Sequence, residues 1–242
     1  MTSIRIYDLT GRDDRRPSPF CWRIKYALAH KGLPFEAVPV ALTDIPTLCG
    51  GGHKAVPIIE DGSKSVSDSW AIADYLDEAY PDRPRLFSSR AERELCRFVE
   101  ISLFLSAGTD LFRIYVKDIY DLVLEKDRDY FRKTREARLG RTLEEAYAGR
   151  EARLDAARAG FESFRLTLQK GGPFLSGGGG PFLSGERPGY ADYIVGGFLL
   201  WIGSVATVPL LRADDPLLAW FERVRDLHGG LGRTSPMNPI AA

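Results

Sequence analysis

At Pro81-Asp82-Arg83-Pro84-Arg85 the chain changes its hydrophobic rhythm, and that change constrains the fold more than any other feature. Prolines and charges packed this closely make a stiff, polar connector suited to a domain boundary. Ahead of it, short apolar runs alternate with polar residues and sit between turn signals. Behind it, apolar residues recur at three- and four-residue spacings. Residues 1–80 are therefore expected to form a small mixed α/β unit, 81–88 a linker and 89–242 an all-helical unit. A chain of 242 residues can bury a core in each.

Within the first unit, SIRIYDL (3–9) alternates like a strand, residues 18–32 carry Trp22, Tyr26, Leu28 and Ala29 at helical spacing with Gly32 as the C-cap, and PFEAVPV (34–40) reads as a second strand. Strand, helix and strand in succession predict a right-handed parallel βαβ unit. Two further runs, 55–60 and 64–66, flank Asp61-Gly62 and predict a hairpin, with Pro57 restricted to a strand start or edge. Ser67-Asp68-Ser69 then caps an amphipathic helix that ends before Pro81.

The second unit opens with 89–123, whose Leu95, Phe98, Val99, Ile101, Phe104, Leu105, Phe112 and Tyr115 suit core on one side and pocket on the other. Residues 128–169 are heavily charged, with Glu and Arg often three or four apart, and read as one or two solvated helices. Residues 171–178 are nearly repeated as 179–186, a tandem GGPFLSG segment expected to be a flexible surface loop, because neither the lysine nor the strand-to-helix setting of a phosphate loop is present. The apolar run 190–206 should be buried centrally, with Asp192 capping its start or the loop before it. A last helix runs from Asp214-Asp215-Pro216 to Leu227, followed by an irregular tail.

Ser18-Pro19-Phe20-Cys21-Trp22 sits where the first loop becomes a helix. Serine can cap free N–H groups, and proline at the first helical position loses no needed donor. The hydroxyl then lies at the positive end of a helix dipole, a docking point for a thiolate, phosphate or carboxylate. An ordinary helix cap accounts for the same pentapeptide. Val56-Pro57 at a strand start and Asp68-Ser69 at a second helix start should share its edge of the sheet, where ligands of α/β units bind.

Lys and Arg balance Asp and Glu at 33 each, so no global field gathers nucleic acid or an anionic membrane. Three scattered cysteines argue against a disulfide framework and for a reducing compartment, and three histidines show no metal-ligand spacing. No signal-peptide pattern opens the chain and no apolar run reaches the roughly 18 residues of a membrane span. A cytoplasmic protein without metal, nucleic-acid partner or membrane segment is the expectation.

These motifs resemble those of the glutathione S-transferases, and the resemblance covers nearly the whole chain. Ser18-Pro19-Phe20, Trp22-Arg23, Asp68-Ser69-Trp70 and Tyr80-Pro81-Asp82-Arg83-Pro84 are similar to the serine-type bacterial lignin β-aryl etherases and their fungal relatives. The resemblance implies a thioredoxin-like N-terminal domain, an all-α C-terminal domain that contributes the electrophile pocket, glutathione as cosubstrate and a homodimer. It implies that Ser18 hydrogen-bonds the glutathione sulfur and stabilises the thiolate. Val56 would present backbone groups to the tripeptide beside a cis Pro57, Asp68 would meet the γ-glutamyl ammonium, and Ser69 its carboxylate. Lys54, with His53 second, is the candidate for the glycyl carboxylate.

Phe20, Trp22, Phe104, Phe112, Tyr115 and Trp201 are the candidates for an aromatic pocket that takes a hydrophobic small molecule. The implied reaction is thiolate attack on an aromatic electrophile, including the carbon of a β-aryl ether. The alternatives are a noncatalytic binding module of the same fold and an isomerase of a maleyl-type acid, whose charge the loop residues Arg12, Arg15 and Arg16 would hold. Cys21 reads as packing, since a serine stands where a redox pair needs its first cysteine, and Tyr7 ranks below Ser18 because it lies mid-strand.

Overall fold

Ile4–Leu9 (β1) lies inside a four-stranded sheet of order β2-β1-β3-β4, flanked by Phe35–Val40 (β2) in parallel and Ile58–Asp61 (β3) antiparallel, with Lys64–Ser67 (β4) at the edge. The computed structural model describes residues 3–169 and 179–242. Pro57 sits just outside the first ladder residue of β3, which reconciles a proline with an antiparallel pair. The crossover between β1 and β2 is helix α1, Pro19–His30, and β4 leads into α2, Ser69–Ala79. This is a thioredoxin-like sheet with its helices.

The next helix, α3, begins at Arg90 and ends at Leu103. A π-helical turn, Phe104–Gly108, joins it to α4, Thr109–Leu122, without a break in right-handed backbone angles at either junction. Leu95, Phe98, Ile101 and Leu105 are exposed, so the upstream apolar stripe is neither core nor pocket. Four short helices replace the one or two expected for 128–169: α5 Arg128–Leu139, α6 Leu143–Tyr147, α7 Glu151–Ala159 and α8 Glu162–Leu168. Gly140, at φ 65°, closes α5 in the left-handed conformation, and a Thr142 capping box starts α6.

Helix α9, Tyr190–Val205, is buried along nearly all its length and packs on α1. Gly197 permits that approach, because a Cβ there would stand 2.6 Å from the Pro19 carbonyl oxygen. Asp192 is fully buried and accepts from Leu183 N at 2.7 Å, Ser184 N at 3.2 Å, Gly189 N at 3.0 Å and Trp220 Nε1 at 2.8 Å. The second GGPFLSG copy is thus clamped, where a flexible loop was expected. The first copy lies outside the described residues. Helix α10, Pro216–Gly230, follows, and the tail returns as a parallel bridge between Leu211 and Ala241.

Candidate active site

Ser18 caps α1, its Oγ accepting from Cys21 N at 3.2 Å, and is nearly buried. The same hydroxyl also lies within hydrogen-bond reach of the Cys21 thiol. The side chain opens on a cavity of about 570 Å³, a volume suited to a small organic molecule. Thr10, Pro17, Ser18, Lys54 and Val56 contribute the sheet-edge part of the lining; Phe104, Phe112, Phe131, Phe198 and Trp201 contribute aromatic surface from the helical unit. Phe20 belongs to both, its ring stacked 6.2 Å from Phe104.

The Val56-Pro57 bond is cis. Val56 lines the cavity and its backbone N–H has no protein partner among the described residues. Lys54 is exposed at the cavity, while His53, half-exposed, is not among the lining residues. Asp68 is exposed and caps α2, accepting from Trp70 N at 2.9 Å and Ala71 N at 3.0 Å with its backbone at φ 76°.

Ser69 is buried at the start of α2, and its hydroxyl accepts a hydrogen bond from the Arg23 guanidinium. A hydroxyl that accepts in one direction retains its proton for donation in another; neither Ser69 nor Asp68 is among the residues lining the cavity. Arg23 also donates to Glu100 Oε1 at 2.6 Å, and Trp70 Nε1 donates to Glu100 Oε2 at 2.6 Å. The guanidinium lies 5.0 Å from the Phe20 ring centre and 5.4 Å from that of Trp70, which connects the cavity wall to the Asp68-Ser69 corner. Arg23 and Glu100 escape a motif reading because their pairing spans 77 positions of sequence.

Two pocket expectations are corrected. Trp22 is buried in the core, donates its Nε1–H to Arg16 O at 2.9 Å and carries the Lys25 ammonium over its ring. Tyr115 is fully buried, with its hydroxyl donating to Val208 O at 3.1 Å. Neither lines the cavity. Phe198, three residues before Trp201 on α9, takes a place beside it; that spacing was the available signal.

Cys21 is fully buried, and burial, reinforced by the charge of Asp8, pushes its thiol well above the ordinary range. Tyr7 donates to Glu60 at 2.6 Å, is absent from the cavity lining and is likewise raised, chiefly by burial. Arg15 donates to Ser204 O and Asn238 Oδ1, both at 2.9 Å, Arg12 donates to Asp121 O, and Arg16 pairs with Asp14. The basic loop therefore fastens the chain and is not part of the cavity lining. Instead Arg113, Arg135 and Arg138 line it, the last two from the charged stretch expected to be a solvated face. Among the described residues no group of three His, Cys, Asp or Glu could hold a metal, and no helix is long and apolar enough to cross a membrane.

Known proteins share this architecture. Residues 14–84 match the glutathione S-transferase N-terminal domain family and residues 97–210 a glutathione S-transferase C-terminal domain family. The glutathione S-transferase-like protein ustS of Aspergillus flavus is 30% identical over 206 residues, covering 74% of this chain and 71% of the relative. The probable glutathione S-transferase GSTU6 of Oryza sativa subsp. japonica is 29% identical over 225 residues, covering 86% and 80%. Among solved structures, glutathione transferase GSTFuA3 from Phanerochaete chrysosporium superposes with a TM-score of 0.74 at 28% identity, covering 95% of this chain and 93% of that one. CsGST83044 of Ceriporiopsis subvermispora, solved in complex with glutathione, gives 0.72 at 26% identity over 96% of each chain. With the site geometry and both domain families in agreement, the chain belongs to the glutathione S-transferase superfamily.

Proposed function

We propose that this protein is a glutathione transferase in which Ser18 stabilises the thiolate of bound glutathione for attack on a hydrophobic aromatic electrophile. The observation that carries the reading is the Ser18 hydroxyl, held at the N-terminus of α1 and opening on an aromatic cavity. Residues to position 80 hold glutathione and 89–242 supply most of the electrophile pocket. Lowering a thiol by about two units from roughly 8.5 takes about 2.7 kcal/mol, within reach of one charge-assisted hydrogen bond and a helix N-terminus.

Around the sulfur, the Val56 backbone pairs with the cysteinyl unit in the manner of an added strand. Asp68 meets the γ-glutamyl ammonium, the Ser69 hydroxyl its carboxylate, and Lys54, with His53 behind it, the glycyl carboxylate. Attack forms a carbon–sulfur bond and expels the leaving group with its electron pair. With a β-aryl ether, the carbon–oxygen bond breaks and a phenolate departs to take up a proton. The aromatic lining of Phe20, Phe104, Phe112 and Trp201 supports this substrate class. Free Cys21, Cys49 and Cys96 agree with a reducing, cytoplasmic setting.

The exposed stripe of Leu95, Phe98, Ile101 and Leu105 supports a homodimer formed on that face. Ser18→Ala is expected to lower kcat/KM for chlorodinitrobenzene and for a β-aryl ether by about 10²-fold with glutathione still bound. Parental turnover in that variant would remove the role from Ser18, and a parent protein that binds no glutathione at millimolar concentration would favour a noncatalytic module. Phe98→Asp is expected to sediment as a monomer.

A further inference from the structure

The cavity combines an aromatic lining with an excess of positive charge that the described residues do not neutralise. Lys54, Arg113, Arg135 and Arg138 line it, against a single lining carboxylate, Asp127. Asp127 is already spent: Oδ2 accepts from Leu42 N at 2.9 Å, and Oδ1 from Thr43 N at 2.9 Å and Thr43 Oγ1 at 2.6 Å.

Arg135 is half-buried and stacks 4.8 Å from the ring centre of Phe131, another lining residue; Arg138 stands 5.3 Å from Phe112. Among the described residues neither arginine has an acidic side chain within ion-pair distance, whereas Arg132, on the same helix, pairs with Glu136 at 2.8 Å and Glu144 at 2.9 Å. The one side-chain partner of Arg135 is Thr134 Oγ1 at 2.9 Å, which leaves most of its five N–H donors unused. Burial, with the like charge of Arg138 beside it, disfavours that cation. A guanidinium kept under those conditions beside aromatic surface is suited to a planar anion, which it meets bidentately while the ring stacks below.

We infer that the electrophile pocket selects an aromatic substrate bearing an anionic group, a carboxylate or sulfonate, held by Arg135 with Arg138 and Arg113 at its flank. This rests on the transferase reading and specifies its substrate class. The arginines are specificity determinants. They orient the ring, the glutathione thiolate adds at the ring carbon, and the leaving group takes the electron pair of the broken bond.

Two probes test it. Chlorodinitrobenzoate and chlorodinitrobenzene undergo the same substitution, with loss of chloride, and differ in one carboxylate. The parent protein is expected to favour the benzoate in kcat/KM by about tenfold or more, and Arg135→Gln to reduce that ratio by about tenfold, mainly through the KM of the benzoate, with Arg135→Lys intermediate. An equal fall for both electrophiles, as a lost glutathione contact would give, overturns the assignment, as does a ratio that the variant leaves unmoved. Calorimetric binding of unreactive dinitrobenzoate reads the same site without turnover. It is expected to weaken about tenfold in Arg135→Gln, and equal binding in folded parent and variant overturns the proposal even if no electrophile is turned over. Failure of glutathione to bind, with dinitrobenzoate binding intact and Arg135-dependent, would instead fail the transferase reading alone.

Discussion

Arg23 donates to the hydroxyl of Ser69, so a residue on the helix capped by Ser18 orients the serine at the start of α2. One guanidinium thereby ties α1 to the start of α2. Arg23→Gln is expected to weaken glutathione binding by about tenfold and to release Glu100, whose second oxygen stays tied to Trp70. Isothermal titration of the variant checks this; an affinity equal to the parent's would show that Ser69 is aimed by some other contact.

Beside that corner, Lys25 and Asp8 form a buried ion pair at 2.8 Å, and Asp8 Oδ1 has no hydrogen-bond partner. Removing Lys25 leaves the buried carboxylate with only the more distant Arg16 guanidinium, at 3.9 Å. Lys25→Met is expected to cost about 3 kcal/mol in urea unfolding, and the Asp8→Leu/Lys25→Met double variant markedly less, because the buried carboxylate is gone and Arg16 keeps Asp14.

Asp192 accepts four hydrogen bonds, from three backbone amides and the Trp220 indole. Asp192→Ala strands those donors in the interior, and a loss of about 3 kcal/mol or more is expected. Hydrogen exchange should localise the loosening to residues 181–189 and the first turn of α9, whereas the sheet amides keep their protection.

His30 and His228 both lie near the Tyr193 hydroxyl, at 2.8 and 3.4 Å. Burial lowers the pKa of each; at His30 Lys31 adds to the effect while the Arg85 carbonyl and Asp77 oppose it, and at His228 the charge of His30 adds to it. The native state therefore holds both neutral, while the unfolded chain protonates them near the ordinary value of about 6.5. Their contribution to stability is full above that pH and is lost as pH falls through the native values. Melting temperatures taken from neutral to mildly acidic pH should decline, and a His30→Gln/His228→Gln variant should decline less steeply over the same window.

The sheet, its crossover and the capped helix starts were legible because they are local: Ser18-Pro19 and Asp68-Ser69 carry their own capping chemistry, and a period of two or of three to four residues declares each element. Periodicity assigns a residue to a face without saying what covers that face. Trp22 and Tyr115 were therefore expected in the pocket and lie in the core, and Leu95 and Phe98 were expected to be covered and are exposed. The charged stretch contained a finer signal than its composition. Arg132 has Glu136 one helical turn away, but Arg135 and Arg138 have no acid three or four positions to either side. On α5 these two cations without an in-helix partner are the ones that line the cavity.

The π-helical turn at Phe104–Gly108 has a consequence for how this molecule varies. One extra residue in a helix rotates everything after it by about 100° relative to everything before. A single continuous rod thus directs Leu95, Phe98 and Ile101 outward and Phe112 toward the cavity. The outward stripe and the cavity wall are thus carried on one rod at different rotations, and deleting the inserted residue would turn the one surface toward the place of the other.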